Sequence, residues 1–284
     1  MNFYTNFFSR GKNIYVRGYK DGKRFSDIFE YSPYLFIPAT PNARTEYRTL
    51  DGKPVEKKYF KTIYEAKDFI KQFKDVSNIE IFGLDNFAYL YIYDNYHGEM
   101  NYDVSRINVI SIDIETMSDD GFPDVDNPTQ TILAIGLKNS AEDCYHLWCL
   151  KAFDPSNKVI TGKVEVHQFV DEVSMLRDFL KWWSTPANTP DIITGWNSRL
   201  FDVPYIYGRL VRLFGEDVAN NLSPWNICDK QTFNYKGRES TFIDLCGIAQ
   251  LDYLDLFQKF TTHTYGNQES YKLSHIADRK STRL

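Results

Sequence analysis

Two acidic residues with the chemistry to bind a metal ion, Asp113 and Glu115, lie one position apart in the segment ISIDIET, residues 110–116. Successive side chains of a β-strand point to opposite faces, so a strand here would present Ser111, Asp113 and Glu115 on one face. Neighbouring carboxylates repel each other unless a cation or a proton lies between them. The segment therefore has two interpretations: a half-buried strand with an ordinary solvated face, or a strand that presents metal ligands.

A third acidic residue, Asp202, lies in the segment TGWNSRLFDVPYI, residues 194–206. The residues DIITGW are typical of a short buried strand, and Pro204 is typical of the first turn of a helix. Asp202 is thus expected at the carboxyl end of a strand, where open α/β sheets place their sites. An acidic residue at this position is also typical of a simple helix start, where it interacts with the helix dipole.

The elements that must position these residues are predicted from the hydrophobic pattern after residue 107. Strands are predicted in INVISIDIET, TILAIGLK, DCYHLWCL, KVEVHQFV and DIITGW. The first three are predicted to form a meander with KVEVHQFV as its fourth strand, and DIITGW is predicted to pair in parallel. Helices are predicted in DEVSMLRDFLKWW and in FDVPYIYGRLVRLFG, which ends at Gly215. Together they predict an α/β fold, a mixed sheet covered by helices. The core face of the first helix is predicted to contain Val173, Leu176, Phe179, Leu180 and Trp183.

The first hundred residues predict a β-rich unit with one helix. Asp21 and Gly22 lie between two alternating runs, which indicates a hairpin turn. Thr62 and Glu65 have the spacing of a capping box at the start of the helix TIYEAKDFIKQF. The segment FAYLYIYDNY predicts a further strand, and the polar residues 94–106 indicate a boundary between domains.

Composition is typical of a globular chain, with 43% hydrophobic and 25% charged residues among 284. The chain lacks a long apolar run and a signal peptide, which predicts a cytoplasmic protein without a membrane segment. Residues 1–106 carry a net charge of +2 and residues 107–284 carry −7. An acidic half is consistent with solubility alone and with carboxylates gathered around divalent cations. The four cysteines lack disulfide or zinc spacing and are predicted to be buried thiols: Cys144, Cys149, Cys228 and Cys246.

The two acidic motifs resemble those of a known family. They resemble the first two motifs of the 3′–5′ exonuclease domain of family B DNA polymerases, which are members of the DEDD superfamily. DIET matches the first of these motifs, and GWNSRLFDVPY matches the second. The resemblance continues through FPD, residues 122–124, and LDYLDLFQKF, residues 251–260, and is closest to the replicative polymerases of T-even-like bacteriophages. The resemblance implies a small β-rich N-terminal domain, followed by a domain with a ribonuclease H-like mixed sheet flanked by helices. The implied fold class of the whole chain is α+β.

The resemblance implies that Asp113, Glu115 and Asp202 are the catalytic residues and bind two Mg²⁺ or Mn²⁺ ions. In the family the position of Asp113 bridges both ions, that of Glu115 supports the ion with the attacking water, and that of Asp202 supports the other. Carboxylates suit these cations, which prefer oxygen ligands, and two such ions suit phosphodiester hydrolysis. Phe122 and Asn197 are implied DNA-binding residues. Their alternatives are loop packing for Phe122 and a turn for Asn197.

Two other segments have both a functional and an ordinary interpretation. Residues 228–244 alternate around Lys236 and Gly237 and resemble the hairpin that keeps primer and template apart in the phage polymerases. A surface hairpin without that role is the alternative. Asp252 and Asp255, in the apolar helix predicted for LDYLDLF, are interpreted as solvated or capping residues and not as ligands.

The implied organisation has an N-terminal domain at residues 1–106, an exonuclease domain at 107–277 and an adapter-derived, non-native tail at 278–284. The family's third motif, Tyr-x-x-x-Asp, does not follow SYKLSHIA, and polymerase motifs are absent from the sequence. The expectation is therefore a truncated exonuclease domain that lacks a fourth carboxylate and has weak or no activity by itself.

The implied partners are primer–template and single-stranded DNA, a sliding clamp and other replisome proteins, in the cytoplasm of a bacterial host. Two other functions are considered. A nucleic-acid-binding module without catalysis is disfavoured by the low positive charge of residues 1–106. A standalone DEDD exonuclease is disfavoured by the leading domain, which standalone members lack.

Overall fold

The chain divides into two compact units, Met1–Tyr102 and Asp103–Leu284. The boundary predicted from sequence was placed after Arg106, at the end of the short 3-10 turn Val104–Arg106. The computed structural model describes residues 2–40, 42–74, 76, 80–119, 121–142, 144–152, 162–235, 237–266 and 268–281.

The first unit begins with an antiparallel sheet in which the middle strand is the second in the chain. Its strands are β1 (Asn2–Arg10), β2 (Asn13–Lys20) and β3 (Lys23–Glu30). Asp21 and Gly22, with φ of 49° and 78°, form the predicted turn between β2 and β3. Gly18 allows β1 and β2 to approach closely, because a Cβ there would lie 2.1 Å from the carbonyl oxygen of Phe3.

Among the described residues, the rest of the first unit contains a second antiparallel strand pair and two helices: β4 (Tyr34–Pro38), β5 (Val55–Tyr59), α1 (Ile63–Phe73) and α2 (Phe87–Asn95). Helix α1 begins as predicted. The Thr62 hydroxyl accepts a hydrogen bond from the N–H of Glu65 at 3.2 Å, and the Glu65 carboxylate accepts one from the N–H of Lys61 at 2.9 Å. These bonds satisfy backbone donors that a helix start leaves free.

The strand predicted for FAYLYIYDNY is wrong, because this segment forms helix α2. Its aromatic residues favour a strand locally, but long-range packing overrides that preference. The side chain of Asn86 caps the helix by accepting a hydrogen bond from the N–H of Ala88 at 3.2 Å. The buried residues recur at intervals of three and four, as in a helix: Phe87, Ala88, Leu90 and Ile92.

The second unit is built on a mixed sheet. The unit's strands are β6 (Val109–Thr116), β7 (Ile132–Asn139), β8 (Cys144–Cys149), β9 (Lys163–Gln168), β10 (Ile192–Thr194), β11 (Cys228–Tyr235), β12 (Arg238–Leu245) and β13 (Ala249–Gln250). Within the described part of the chain, the main sheet has six strands in the order β13-β10-β6-β7-β8-β9. Strands β6, β7 and β8 form the predicted antiparallel meander. The prediction of β9 as its fourth strand is wrong, because β9 runs parallel to β8. Strand β10 runs parallel to β6 and β13, as predicted.

Helices complete this unit: α3 (Glu172–Trp183), α4 (Asp202–Phe214), the single turn α5 (Glu216–Ala219), α6 (Tyr253–Tyr265) and α7 (Leu273–Ser281). The predicted core face of α3 is confirmed except for Val173, which is 37% exposed, while Met175 is buried. Helix α4 ends at Gly215, as predicted, with φ of 89°. Helix α7 includes the first part of the predicted tail, and residues 282–284 of that tail lie outside the described residues.

The fold is therefore mixed α/β with a β-rich first unit, as the sequence predicts. The main core lies between the isoleucine face of β6 and the helices α3 and α4. All four cysteines are buried free thiols, which confirms the prediction made for them. Over the described ranges, no helix combines the length and the apolar character that crossing a bilayer requires.

Candidate active site

Strand β6 presents Asp113 and Glu115 on the face of the sheet opposite to the core. The isoleucines that alternate with them are buried, whereas both acidic side chains are exposed. The alternation follows from the period of two of a β-strand, as predicted. The two carboxylates are thus neighbours on one accessible surface at the carboxyl end of β6.

Asp202 joins these residues from a different element. It is the first residue of α4, and only 2% of it is exposed. Its Oδ1 atom accepts a hydrogen bond from the N–H of Ile114 at 2.9 Å. Since Ile114 lies between Asp113 and Glu115, this bond brings the third carboxylate to the same end of β6.

The electrostatics of the site disfavour ionisation of Asp202 and Asp113. Burial, followed by the negative charge of Asp113, raises the pKa of Asp202 to about 7, although the hydrogen bond from Ile114 opposes this shift. The pKa of Asp113 is also raised, because its carboxyl group is partly desolvated even though the side chain reaches solvent. A cation bound between these groups would stabilise their ionised forms and lower both pKa values.

The loop between β10 and α4 lies tightly against β6. At Gly195 a Cβ atom would lie 2.6 Å from the carbonyl oxygen of Ile112, so a larger residue would push the loop away from the strand. Asn197 has a φ of 67°, a left-handed conformation that asparagine tolerates better than most residues. The turn role of Asn197 is therefore confirmed, and its contact with DNA stays a prediction.

Asp252 anchors this loop, a role that the sequence did not predict. Its carboxylate accepts hydrogen bonds from the N–H groups of Asn197, Arg199 and Leu254, at 3.0, 2.9 and 2.8 Å. The bond to Leu254 caps α6, so the predicted capping role is confirmed, but Asp252 is 4% exposed and the solvated alternative is wrong for it. Its position just before a helix predicted the capping role. Its hydrogen bonds to Asn197 and Arg199 could not be predicted, because these residues lie more than fifty positions away and leave no local sequence pattern. Asp255 stays at the surface, 4.0 Å from Arg199.

Phe122 lies on an exposed loop near the start of α4. Its side chain contacts Phe201, with 5.5 Å between ring centroids, yet Phe122 remains 85% exposed. The alternative of packing into the core is therefore wrong. An exposed ring supported by a second ring is suited to stacking on a base.

A buried ion pair anchors the end of this loop. The guanidinium of Arg209 in α4 pairs with Glu172 at the start of α3 and donates to the carbonyl oxygens of Pro128 and Thr129, each at 3.0 Å. The Glu172 carboxylate also accepts a hydrogen bond from the N–H of Ile132 at 2.8 Å. The pair therefore joins both helices to the segment that leads into β7.

Strands β11 and β12 form the predicted hairpin next to this loop. The guanidinium of Arg199 lies 4.0 Å from the ring centroid of Phe242 in β12, and Lys230 in β11 pairs with Asp126 at 3.1 Å. Lys236, at the predicted turn, lies outside the described residues. The hairpin's contact with DNA stays a prediction.

Comparison with known proteins assigns the chain to a family. Residues 83–276 match the family model described as the exonuclease domain of DNA polymerase family B. The DNA-directed DNA polymerase of Escherichia phage RB69 is 32% identical over 97% of this chain and 32% of its own length. That of Enterobacteria phage T4 is 29% identical over 98% of this chain and 32% of its own length. A herpesvirus relative, the DNA polymerase catalytic subunit of Elephantid herpesvirus 1, is 34% identical over 35% of this chain. The chain thus spans about a third of the length of the two phage relatives.

Proposed function

Because this chain belongs to the exonuclease-domain family of the family B DNA polymerases, we propose that it carries the proofreading site of a DNA-directed DNA polymerase. The proposed reaction is hydrolysis of the 3′-terminal nucleotide of single-stranded DNA or of a mispaired primer. The observation that carries the proposal is the hydrogen bond from the N–H of Ile114 to the carboxylate of Asp202. It supports a common catalytic site for Asp113, Glu115 and Asp202.

Exonuclease domains of this family are metal-dependent, and the donor set at the end of β6 fits a hard divalent cation. All three candidate ligands are carboxylates, and the repulsion that helps to raise the pKa of Asp202 is the repulsion a cation relieves. Asp113, Glu115 and Asp202 are the proposed ligands of two Mg²⁺ or Mn²⁺ ions. When bound, two such ions stabilise the attacking and leaving oxygens of phosphodiester hydrolysis.

Phe122 and Asn197 are the proposed contacts to the terminal nucleotide. Phe122 is exposed and supported by Phe201, so its ring can stack on any base without selecting the sequence. Asn197 lies in the loop that precedes Asp202, and Asp252 fixes the backbone of this loop. The Asn197 side chain is therefore proposed to orient either Asp202 or the nucleotide.

The proposed organisation is an N-terminal polymerase domain at residues 1–106 followed by the exonuclease domain at 107–277. The proposed partners are primer–template and single-stranded DNA, with a sliding clamp and other replisome proteins as partners of the whole polymerase. Membership of the family and similarity to phage polymerases support the bacterial cytoplasm as the place of action.

Metal binding by the 284-residue chain tests the site without depending on its catalytic rate. Titration with Mn²⁺, followed by electron paramagnetic resonance, should show saturable binding that Asp113→Asn and Asp202→Asn each weaken at least about tenfold. Asp217→Asn is a matched control, because Asp217 is an exposed residue of the same unit. Unchanged binding in both site variants would place the metal elsewhere and contradict the proposal.

Digestion of 5′-labelled single-stranded DNA in Mg²⁺ or Mn²⁺ tests the reaction. Products should shorten from the 3′ end, and Asp113→Asn should slow this at least about 100-fold, because it removes a ligand of the transition state. The Asp217→Asn control should digest at the unsubstituted rate. Equal digestion rates of the Asp113→Asn variant and the unsubstituted chain would contradict the proposed reaction.

A further inference from the structure

A second group of metal-ligand side chains lies on the opposite face of the sheet, between β8 and the edge strand β9. The strand register pairs His146 with Glu165, and Cys144 lies two residues before His146 on the same face. One ligand atom from each of Cys144, His146 and Glu165 lies within 4.8 Å of the other two. Asp113 faces the other way, because its neighbours across the sheet are Gly136 and then Leu147.

The imidazole of His146 has the arrangement of a metal-binding histidine. His146 is 3% exposed, and its Nε2 atom lies 2.8 Å from a carboxylate oxygen of Glu142. In the tautomer that donates from Nε2 to this carboxylate, Nδ1 carries a lone pair, as in metal sites where a carboxylate orients the histidine. Among the described residues, Nδ1 has no hydrogen-bond partner, although it is buried and lies 3.6 Å from Oε2 of Glu165. A buried lone pair without a hydrogen-bond partner lacks the cation or donor that it requires.

We propose that Cys144, His146 and Glu165 bind a Zn²⁺ ion that joins β8 to β9. A thiolate, an imidazole and a carboxylate form a mixed donor set that suits zinc, whereas Mg²⁺ prefers oxygen alone. Cys144 releases its thiol proton to solvent as the zinc–sulfur bond forms. Water fills the fourth position, and Glu142 orients His146 without binding the ion.

The geometry requires only small movements of the ligand side chains. Zinc bonds of about 2.0 Å to nitrogen and 2.3 Å to sulfur separate ligand atoms in a tetrahedral site by about 3.5 Å. The present separations, within 4.8 Å, need to shorten by about 1.3 Å at most. Glu165 can make this movement because its side chain is 38% exposed, whereas His146 is fixed by the ring of Trp182 at 4.9 Å between centroids.

Lys163 competes with the metal for Glu165. Its ammonium group forms an ion pair with the Glu165 carboxylate on the same face of β9. Lys163 is largely exposed, so it can leave when the ion binds, but its charge opposes binding. Replacing Lys163 with methionine should therefore tighten zinc binding several-fold and leave the three ligands in place.

Cobalt(II) titration of the full chain tests this site, because cobalt bound to a thiolate gives a charge-transfer absorption that carboxylate sites do not give. We expect this band in the unsubstituted chain, its loss in Cys144→Ser, at least tenfold weaker binding in Glu165→Gln and tighter binding in Lys163→Met. Cys149→Ser is the matched control, since Cys149 is a buried free thiol on the same strand. Zn²⁺ should displace the cobalt and remove the band.

The variants distinguish the site from misfolding. Glu165→Gln and Lys163→Met alter partly exposed side chains, and circular dichroism checks that each variant is folded. Opposite effects of these two substitutions on cobalt affinity support the site even if Cys144→Ser fails to fold. Absence of the band at millimolar cobalt, or a band that persists in folded Cys144→Ser, overturns the proposal.

Discussion

Asp202, a proposed metal ligand, occupies a position at which its negative charge lowers the stability of the fold. Its carboxyl group is buried beside Asp113, and its pKa is raised to about 7. A carboxyl group whose pKa is higher in the folded state than in the unfolded state stabilises the fold while it is protonated. This stabilisation is complete below the ordinary pKa near 4 and is lost as the pH rises through about 7.

Asp202→Asn should therefore stabilise the second unit at pH 8 in the absence of divalent metal. The amide oxygen can still accept the hydrogen bond from Ile114, but the amide carries no charge to bury. The expected gain is on the order of 4 kcal/mol at pH 8 and close to zero at pH 4. Urea unfolding followed by tryptophan fluorescence measures it, since all five tryptophans lie after residue 103. An equal stability of both proteins at pH 8 would contradict the prediction.

At the same scale, local sequence predicted where some residues of the candidate site lie and could not predict the position of others. Asp113 and Glu115 lie on one face because a strand alternates its side chains, a rule that needs no tertiary information. Asp252 is different, because its hydrogen bonds to Asn197 and Arg199 join segments that only the fold brings together. The sequence around Cys144 likewise lacks the ligand spacing typical of zinc sites, because the proposed co-ligand Glu165 comes from a neighbouring strand.

Elements whose hydrophobic residues repeat with one clear period were predicted well. An element whose structure depends mainly on tertiary packing was not. The β6–β7–β8 meander and helices α3 and α4 have strong alternation or helical spacing. Helix α2 is short and rich in tyrosine and phenylalanine, so its local preference resembled that of a strand. The parallel pairing of β9 with β8 was also not predicted, because pairing direction depends on how the chain returns to the sheet.

The ion pair between Glu172 and Arg209 is the main polar connection between elements near the candidate active site. Glu172→Gln should destabilise the second unit by about 3 kcal/mol, because it leaves the Arg209 guanidinium buried without a counter-charge. Glu216→Gln, at an exposed position in α5, is the control and should change the stability by less than about 0.5 kcal/mol. The same urea titration monitored by tryptophan fluorescence measures both. Similar unfolding midpoints for the two variants would show that the ion pair contributes little.

At the scale of the whole molecule, the two halves of the chain differ in net charge. Residues 1–106 carry a net charge of +2, whereas residues 107–284, which include the candidate active site, carry −7. Phosphate groups are repelled by an acidic surface unless cations are bound there. If the carboxylates of β6 and α4 bind divalent ions, these ions must supply part of the attraction for the DNA backbone.

Divalent cations should therefore strengthen the binding of single-stranded DNA, which is the opposite of the usual effect of salt. We expect affinity to rise at least about tenfold when Mg²⁺ replaces NaCl at equal ionic strength, because bound ions reverse the local charge at Asp113, Glu115 and Asp202. Fluorescence anisotropy with an oligonucleotide protected by a 3′-terminal phosphorothioate measures binding without hydrolysis. Asp113→Asn should lose most of this magnesium-dependent gain, whereas Asp217→Asn should retain it. Equal weakening of binding by Mg²⁺ and NaCl would mean that DNA reaches the chain through its basic residues and not through metal ions at the end of β6.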